Sequence, residues 1–207
     1  MQNIEKLYVI AMESEAKDLL NNFKLIQEVP FKLYQNKNDL IAITKVGKVN
    51  TAFVLSYLIA KYNIKSIINL GFAGANGNFE IGDIYVVENA KYHDFDATIF
   101  GYDLGQVPGL PTVFKSNEEL LNKVNFPKTN LYTGDYFMTE TLPDNYLVDM
   151  EGAALYQVAY LNNLPIISIK VVSDVIGRTS HIDQYNDFEQ SGSKIIKKIF
   201  DLVQEVL

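Results

Sequence analysis

Cysteine is absent from the 207-residue chain, which removes disulfide frameworks, thiolate metal sites and a cysteine nucleophile at one stroke. Histidine is nearly absent. His93 and His181 stand far apart, and neither belongs to an H-x-x-x-H or H-E-x-x-H pattern, so metal catalysis and a metal cofactor are not expected. Arg178 is the only arginine, and no basic cluster offsets the net charge of -7. Nucleic acid and anionic membrane surfaces are therefore not expected partners. The nearest basic stretch, "SKIIKK" (Ser193–Lys198), reads as the polar face of a C-terminal helix. No apolar run reaches bilayer length, and the first one, in "MQNIEKLYVIAMESEAK", is too short and too closely flanked by acids for a signal peptide. A cytoplasmic protein is expected, in keeping with the lack of cysteine.

What remains is material for a core. A hydrophobic share of 48% is enough to bury one, and the length suits a single domain over 1–207. Short apolar, β-branched runs alternate with helical spacing. "KLYVIAM", "FKLYQ", "LIAITKV", "SIINL", "GDIYVVENA", "NLYTGDYFM", "YLVDM" and "LPIISIKVVSD" read as strands. "SEAKDLLNNF", "NTAFVLSYLIAKY" and "EGAALYQVAYLNN" read as helices, "GFAG" as a glycine turn, and an amphipathic helix is expected from about Asn186 to the end. Such alternation predicts an α/β fold with a mixed, largely parallel sheet between helices. The least regular section is Ala97–Phe114, rich in Gly, Pro and aromatics; it reads either as a packed surface loop or as one folded over a ligand or partner.

Ligands of parallel sheets sit at the carboxyl ends of the strands. Acids and glycines fall there repeatedly: Glu13 and Glu15, Gly71 and Gly74, Asp149 and Glu151, Ser173 and Asp174. From residue type alone Glu13 and Glu15 are equal candidates, and each acid could simply favour a helix start. A G-x-S-x-G elbow is missing, and "GFAGANG" is neither a P-loop nor a G-x-G-x-x-G turn. Carboxylates around an apolar pocket suit cleavage of a glycosidic bond, one acting as acid and another activating water.

"AMESEAKDL", "INLGFAGANGNFEIGDIYVVENAKYHDFDATIFGYDLGQVPG", "TGDYFM", "VDMEGAA" and "VVSDV…SH" occur in a familiar order. With them the chain resembles the 5′-methylthioadenosine/S-adenosylhomocysteine nucleosidases of the purine nucleoside phosphorylase-like superfamily, from about Leu7 to the last helix. The resemblance implies a nine-stranded, partly barrel-like twisted sheet in a three-layer fold. It also implies hydrolysis of the N-glycosidic bond of 5′-modified adenine nucleosides without a cofactor. It casts Glu15 as the base that activates water and Asp174 as the acid that protonates adenine N7, held by Ser173. Glu151 would bind the ribose hydroxyls, Met150 pack on the sugar, Phe137 stack on adenine, and the Met138 backbone read its amino edge. Gly74 would allow close backbone approach, and Val46 would line the 5′ pocket. The resemblance further implies a homodimer in which the loop Ala97–Phe114 brings Phe100, Tyr102, Leu104 and Pro108 to the neighbour's site.

Three departures stand out. Phe72 occupies a position usually held by serine, Lys170 one usually held by arginine, and the segment from Phe114 to Asn130 is short. Phe72 is expected to add bulk near the sugar. The scarcity of arginine disfavours phosphorolysis, because a phosphate dianion beside several carboxylates needs such donors. A phosphate-dependent phosphorylase, a futalosine-type nucleosidase and a non-catalytic nucleoside-binding protein remain as alternatives.

Overall fold

The computed structural model describes residues 1–207 apart from Leu142, Thr179 and the side chain of His181, the histidine of the last motif. In chain order the strands are β1 (Gln2–Ile10), β2 (Lys24–Gln27), β3 (Lys32–Asn36), β4 (Asp39–Ile43), β5 (Tyr62–Asn76), β6 (Ile84–Tyr92), β7 (Phe114–Lys115), β8 (Lys128–Thr133), β9 (Tyr146–Asp149) and β10 (Ile166–Val175). The helices are α1 (Glu13–Ala16), α2 (Lys48–Lys61), α3 (Glu118–Lys123), α4 (Gly152–Leu161), α5 (His181–Glu189) and α6 (Ser193–Val206). The strands form one mixed sheet ordered β10-β6-β8-β9-β5-β1-β4-β3-β2. The nine strands implied above become ten because β7, two residues long, adds to the edge of β6.

The barrel follows from one long strand. Up to Asn69, β5 pairs in parallel with β1; from Ile67 onward it pairs with β10, and at Gly74–Asn76 with β9. With β6 linking β10 to β8, and β8 linking to β9, five strands close on themselves. The remaining strands continue from β1 as an open wing.

Period-two burial divides the core. Leu7 and Val9 of β1 face a cluster that includes Val54, Leu55 and Leu58 of α2 and Leu155 and Tyr156 of α4. Tyr8 and Ile10 face the opposite cluster with α6. There α6 buries Ile196, Ile199, Phe200 and Val203, a stripe at helical spacing, which yields the three-layer arrangement.

Four assignments of local secondary structure differ from the structure. The helix over "SEAKDLLNNF" is a single turn followed by a 3-10 turn at Leu20–Asn22, since the Asn pair is poor helix material and β2 begins at Lys24. "GFAG" is no turn; it continues β5. The strand expected over "NLYTGDYFM" ends at Thr133, where Gly134 turns its N–H to Asp149 O. The terminal helix divides into α5 and α6 at Ser191–Gly192.

Phe72 packs against that division. Its ring meets Phe188 of α5 edge-on at 5.1 Å and 82°. A Cβ on Gly192 would come within 2.5 Å of both rings. The Phe72 ring thus packs into the α5/α6 layer, and the residue also borders the pocket described below. Gly192→Ala should lower stability by about 1–3 kcal/mol in urea unfolding. The share due to the Phe72 ring, as distinct from Phe188, should vanish in a Phe72→Ala background, a coupling that a double-mutant cycle reads directly.

Candidate active site

The carboxyl ends of β1, β9 and β10 meet at one pocket bordered by Glu15, Glu151, Ser173 and Asp174, with Phe137, Met138 and Met150 among its walls. Each acid arrives there for a local reason. Glu15 lies on the one-turn helix α1 and is 3% exposed. Its Oε1 accepts the Phe72 N–H at 2.8 Å and its Oε2 the Met12 N–H at 2.9 Å. Glu13, its rival by sequence, turns outward, where Lys32 Nζ and Tyr34 Oη bind it at 2.7–3.0 Å.

Asp149 and Glu151 separate just as clearly. Asp149 accepts the Gly152 N–H, the Thr133 hydroxyl at 2.6 Å and Lys170 Nζ at 2.9 Å. Glu151 is the first residue flanking α4, yet its side chain does not cap that helix. Instead it accepts the Gly47 N–H at 2.9 Å, across the pocket rim. Asp149 therefore anchors the helix start, and Glu151 faces the cavity.

The strand β10 carries the third acid and the cation. A register shift between Val172 and Asp174 marks a bulge, a device that re-aims side chains beside active sites. Lys170 and Asp174 lie opposite Gly71 and Gly74 of β5. A Cβ on Gly71 would sit 3.0 Å from Glu15 Oε1 and 3.4 Å from Lys170 Nζ; one on Gly74 would sit 3.0 Å from Asp174 Oδ2. These glycines make room for charged groups, a requirement that the turn reading missed. Ser173 Oγ donates to Asp174 Oδ1 at 2.7 Å.

Electrostatics follow from burial. Desolvation raises the Glu15 carboxyl above its ordinary value, against the pull of the Phe72 N–H and Lys170. Glu151 is pushed up to about 8 by desolvation and then by Asp149, with Lys170 opposing. Burial alone would discharge Lys170, but Asp149, Glu151 and Glu15 outweigh it and hold the ammonium charged.

The phosphorylase superfamily pattern matches residues 7–207. A 5′-methylthioadenosine/S-adenosylhomocysteine nucleosidase of Desulfotalea psychrophila is 31% identical, over 96% of this chain and 96% of its own. The chain belongs to the 5′-methylthioadenosine/S-adenosylhomocysteine nucleosidase family. Among solved structures, a Borrelia burgdorferi protein described by the same name and bound to adenine shares 32% identity. It matches with a TM-score of 0.87 over 98% of this chain and 100% of its own. A Neisseria meningitidis nucleosidase in complex with methylthio-immucillin-A matches at 26% identity and a TM-score of 0.89, over 99% of this chain and 100% of its own.

Within this nucleosidase framework, Val46, Gly74, Phe137, Met138, Met150, Glu151, Ser173, Glu15 and Asp174 border the same pocket. Phe100 and Pro108 do not; both are exposed on the long loop. Sequence reading missed Met12, Tyr136, Val148 and Tyr185 as wall residues. Tyr185 meets Phe137 at 5.9 Å and 71°, with its hydroxyl 3.8 Å from Met12 Sδ. It precedes Asn186, where the terminal helix was expected to start, and the only signal for it is a tyrosine in a polar helix.

Two outcomes are expected. Lys170→Met leaves Asp149 buried without its cation and should cost about 3–5 kcal/mol at pH 7, measured by chemical unfolding. The second concerns Glu151, which titrates near 8 when folded and near 4.5 otherwise. Between those values the folded chain keeps a proton that the unfolded chain has released. Stability of the ligand-free protein should therefore fall as pH rises through that window. Melting curves of Glu151→Gln should show a flatter dependence.

Proposed function

We propose that the chain hydrolyses the N-glycosidic bond of 5′-modified adenine nucleosides, methylthioadenosine and S-adenosylhomocysteine, to adenine and the 5-substituted ribose. The observation that carries this reading is the convergence of Glu15, Glu151 and Asp174 in one aromatic-walled pocket of a chain from this family. Asp174 gives its proton to N7 as the C1′–N9 bond breaks and the bonding pair passes to the base. Glu15 takes a proton from water as the water oxygen bonds to C1′. Burial raises the basicity of Glu15, and its two backbone N–H bonds fix the carboxylate plane. Glu151 binds the ribose hydroxyls, Met150 packs on the sugar and Phe137 stacks on the base, with the Met138 backbone at the amino edge.

Water is the nucleophile that this electrostatics favours. Lys170 is committed to Asp149, while Arg178 binds Glu80 at 3.0 and 3.2 Å and Phe79 O at 2.9 Å. A phosphate dianion would meet carboxylates with no unengaged arginine to offset them.

The homodimer belongs to the same proposal. The helix α2 exposes Val49, Phe53 and Tyr57, one stripe at i, i+4 and i+8, beside exposed Val29 and Val46. A groove lined by Met12, Val29, Pro30, Phe31 and Val46 shares its rim with the catalytic pocket. The loop Ala97–Phe114 offers exposed Ile99, Phe100 and Leu104 as the complement, with Tyr102 and Pro108 beside them. No helix among the described residues is long and apolar enough to cross a membrane. A cytoplasmic setting is the location we propose, in keeping with a cysteine-free composition.

Adenine release from methylthioadenosine and S-adenosylhomocysteine should proceed equally with and without phosphate. Asp174→Asn and Glu15→Gln should each lower kcat at least about 100-fold with melting temperature retained. Release that requires phosphate, or substantial activity in either variant, would overturn the assignment.

A further inference from the structure

Beside the pocket lies a charged cluster to which the chemistry above gives no part. Lys48, the first residue of α2, places Nζ 2.7 and 2.6 Å from the two carboxylate oxygens of Asp94 and 3.6 Å from Asp135. Its backbone N–H donates to Asp135 Oδ1 at 2.9 Å, and the Asp135 N–H donates to Asp94 Oδ2 at 2.8 Å. The Lys48 and Asp94 side chains are 23% and 15% exposed, so the pair is partly withdrawn from solvent. The ammonium also lies 5.4 Å from the centre of the Tyr92 ring.

The connections run straight into the pocket. Gly47, at a φ of +105°, directs its N–H to Glu151 Oε1, and Lys48 is the next residue. Asp135 precedes Tyr136, Phe137 and Met138, all of which line the pocket. Asp94 follows His93, whose ring meets Tyr136 edge-on at 4.8 Å and 88°. Three chain segments, at the start of α2 and after β6 and β8, are thus bound to one another through Lys48. Two consecutive backbone N–H groups at the start of α2 reach two carboxylates: Asp135, which with Lys48 and Asp94 forms a latch, and Glu151 in the pocket. Neither the Gly47 turn nor the 134–138 segment is part of the sheet ladder, so their placement depends on such ties.

We infer that Lys48, paired with Asp94 and Asp135, is a positioning residue that holds the Gly47 N–H on Glu151 and sets the 136–138 wall against the base. The inference rests on the nucleosidase reading for its effect on turnover, but the tie itself is independent of that reading. Lys48 is not among the residues that line the pocket. Its loss acts through the grip on ribose and base, so KM moves more than kcat.

The test compares Lys48→Met, Lys48→Arg and Asp94→Asn in the full chain. In Lys48→Met and Asp94→Asn, amide exchange at Gly47 should quicken at least about tenfold, as for a hydrogen bond opened by roughly 1.4 kcal/mol. The Glu151 carboxyl should titrate at higher pH by NMR, having lost a donor to its charged form. KM for methylthioadenosine should rise about tenfold with a smaller change in kcat. Lys48→Arg, which keeps the cation and suits a two-oxygen carboxylate, should recover most of each change. Wild-type amide exchange and KM in Lys48→Met would overturn the inference. So would an equal loss in Lys48→Arg, which would indicate packing rather than the ion pair. If the wild-type chain cleaves no nucleoside, the proposed function fails, and Gly47 exchange and Glu151 titration still decide the latch.

Discussion

One buried ammonium makes the site possible. Lys170, 2% exposed, sits 2.9 Å from Asp149 and acts electrostatically on Glu151 and Glu15 as well. Several carboxylates cannot share a desolvated pocket while all are ionised, because each buried charge without a partner costs several kcal/mol. Lys170 offsets one full charge, and proton uptake on the raised carboxyls relieves the rest. The pocket is thereby kept short of full ionisation, which suits a reaction needing one proton donor and one proton acceptor side by side.

That electrostatic arrangement constrains the sheet. A lysine and an aspartate on a central strand need volume inside the barrel, and β5 supplies it by placing glycines opposite both. The bulge between Val172 and Asp174 brings consecutive side chains, Ser173 and Asp174, into the same buried site. Closure of the five strands then brings the ends of β9 and β10 together, so the residues flanking Asp149 face those flanking Asp174. Removing either glycine would press a methyl group against an ionisable side chain of the site, and at Gly74 against Val148 as well.

The strands and the acids were legible because each rests on a local signal: β-branched runs for β1, β4, β6 and β10, and carboxylates at their ends. What stayed hidden depends on contacts between distant segments. Nothing near "GFAG" reveals that its glycines face Lys170 and Asp174 instead of bending the chain. Glu13 and Glu15 differ only in what surrounds them, Lys32 and Tyr34 for one and the Phe72 and Met12 amides for the other. The family likeness distinguished them before the fold did. Tyr185 escaped because α5 buries little and its pattern is nearly all polar.

Two of the three departures from the family pattern, Phe72 and Lys170, now have different weights. Phe72 borders the pocket, but its ring packs on Phe188 in the layer behind, and its hydrogen bond to Glu15 is a backbone N–H that any residue but proline supplies. Lys170 alters the pocket itself. An arginine fork would present several donors at fixed angles, whereas an ammonium is a compact charge that can be satisfied chiefly by one carboxylate. With Asp149 occupying it at 2.9 Å, Lys170 has less reach toward an incoming anion than a guanidinium would have. Lys170 therefore supplies the compensating positive charge beside the pocket, with Glu15, Glu151 and Asp174 on the rim they share.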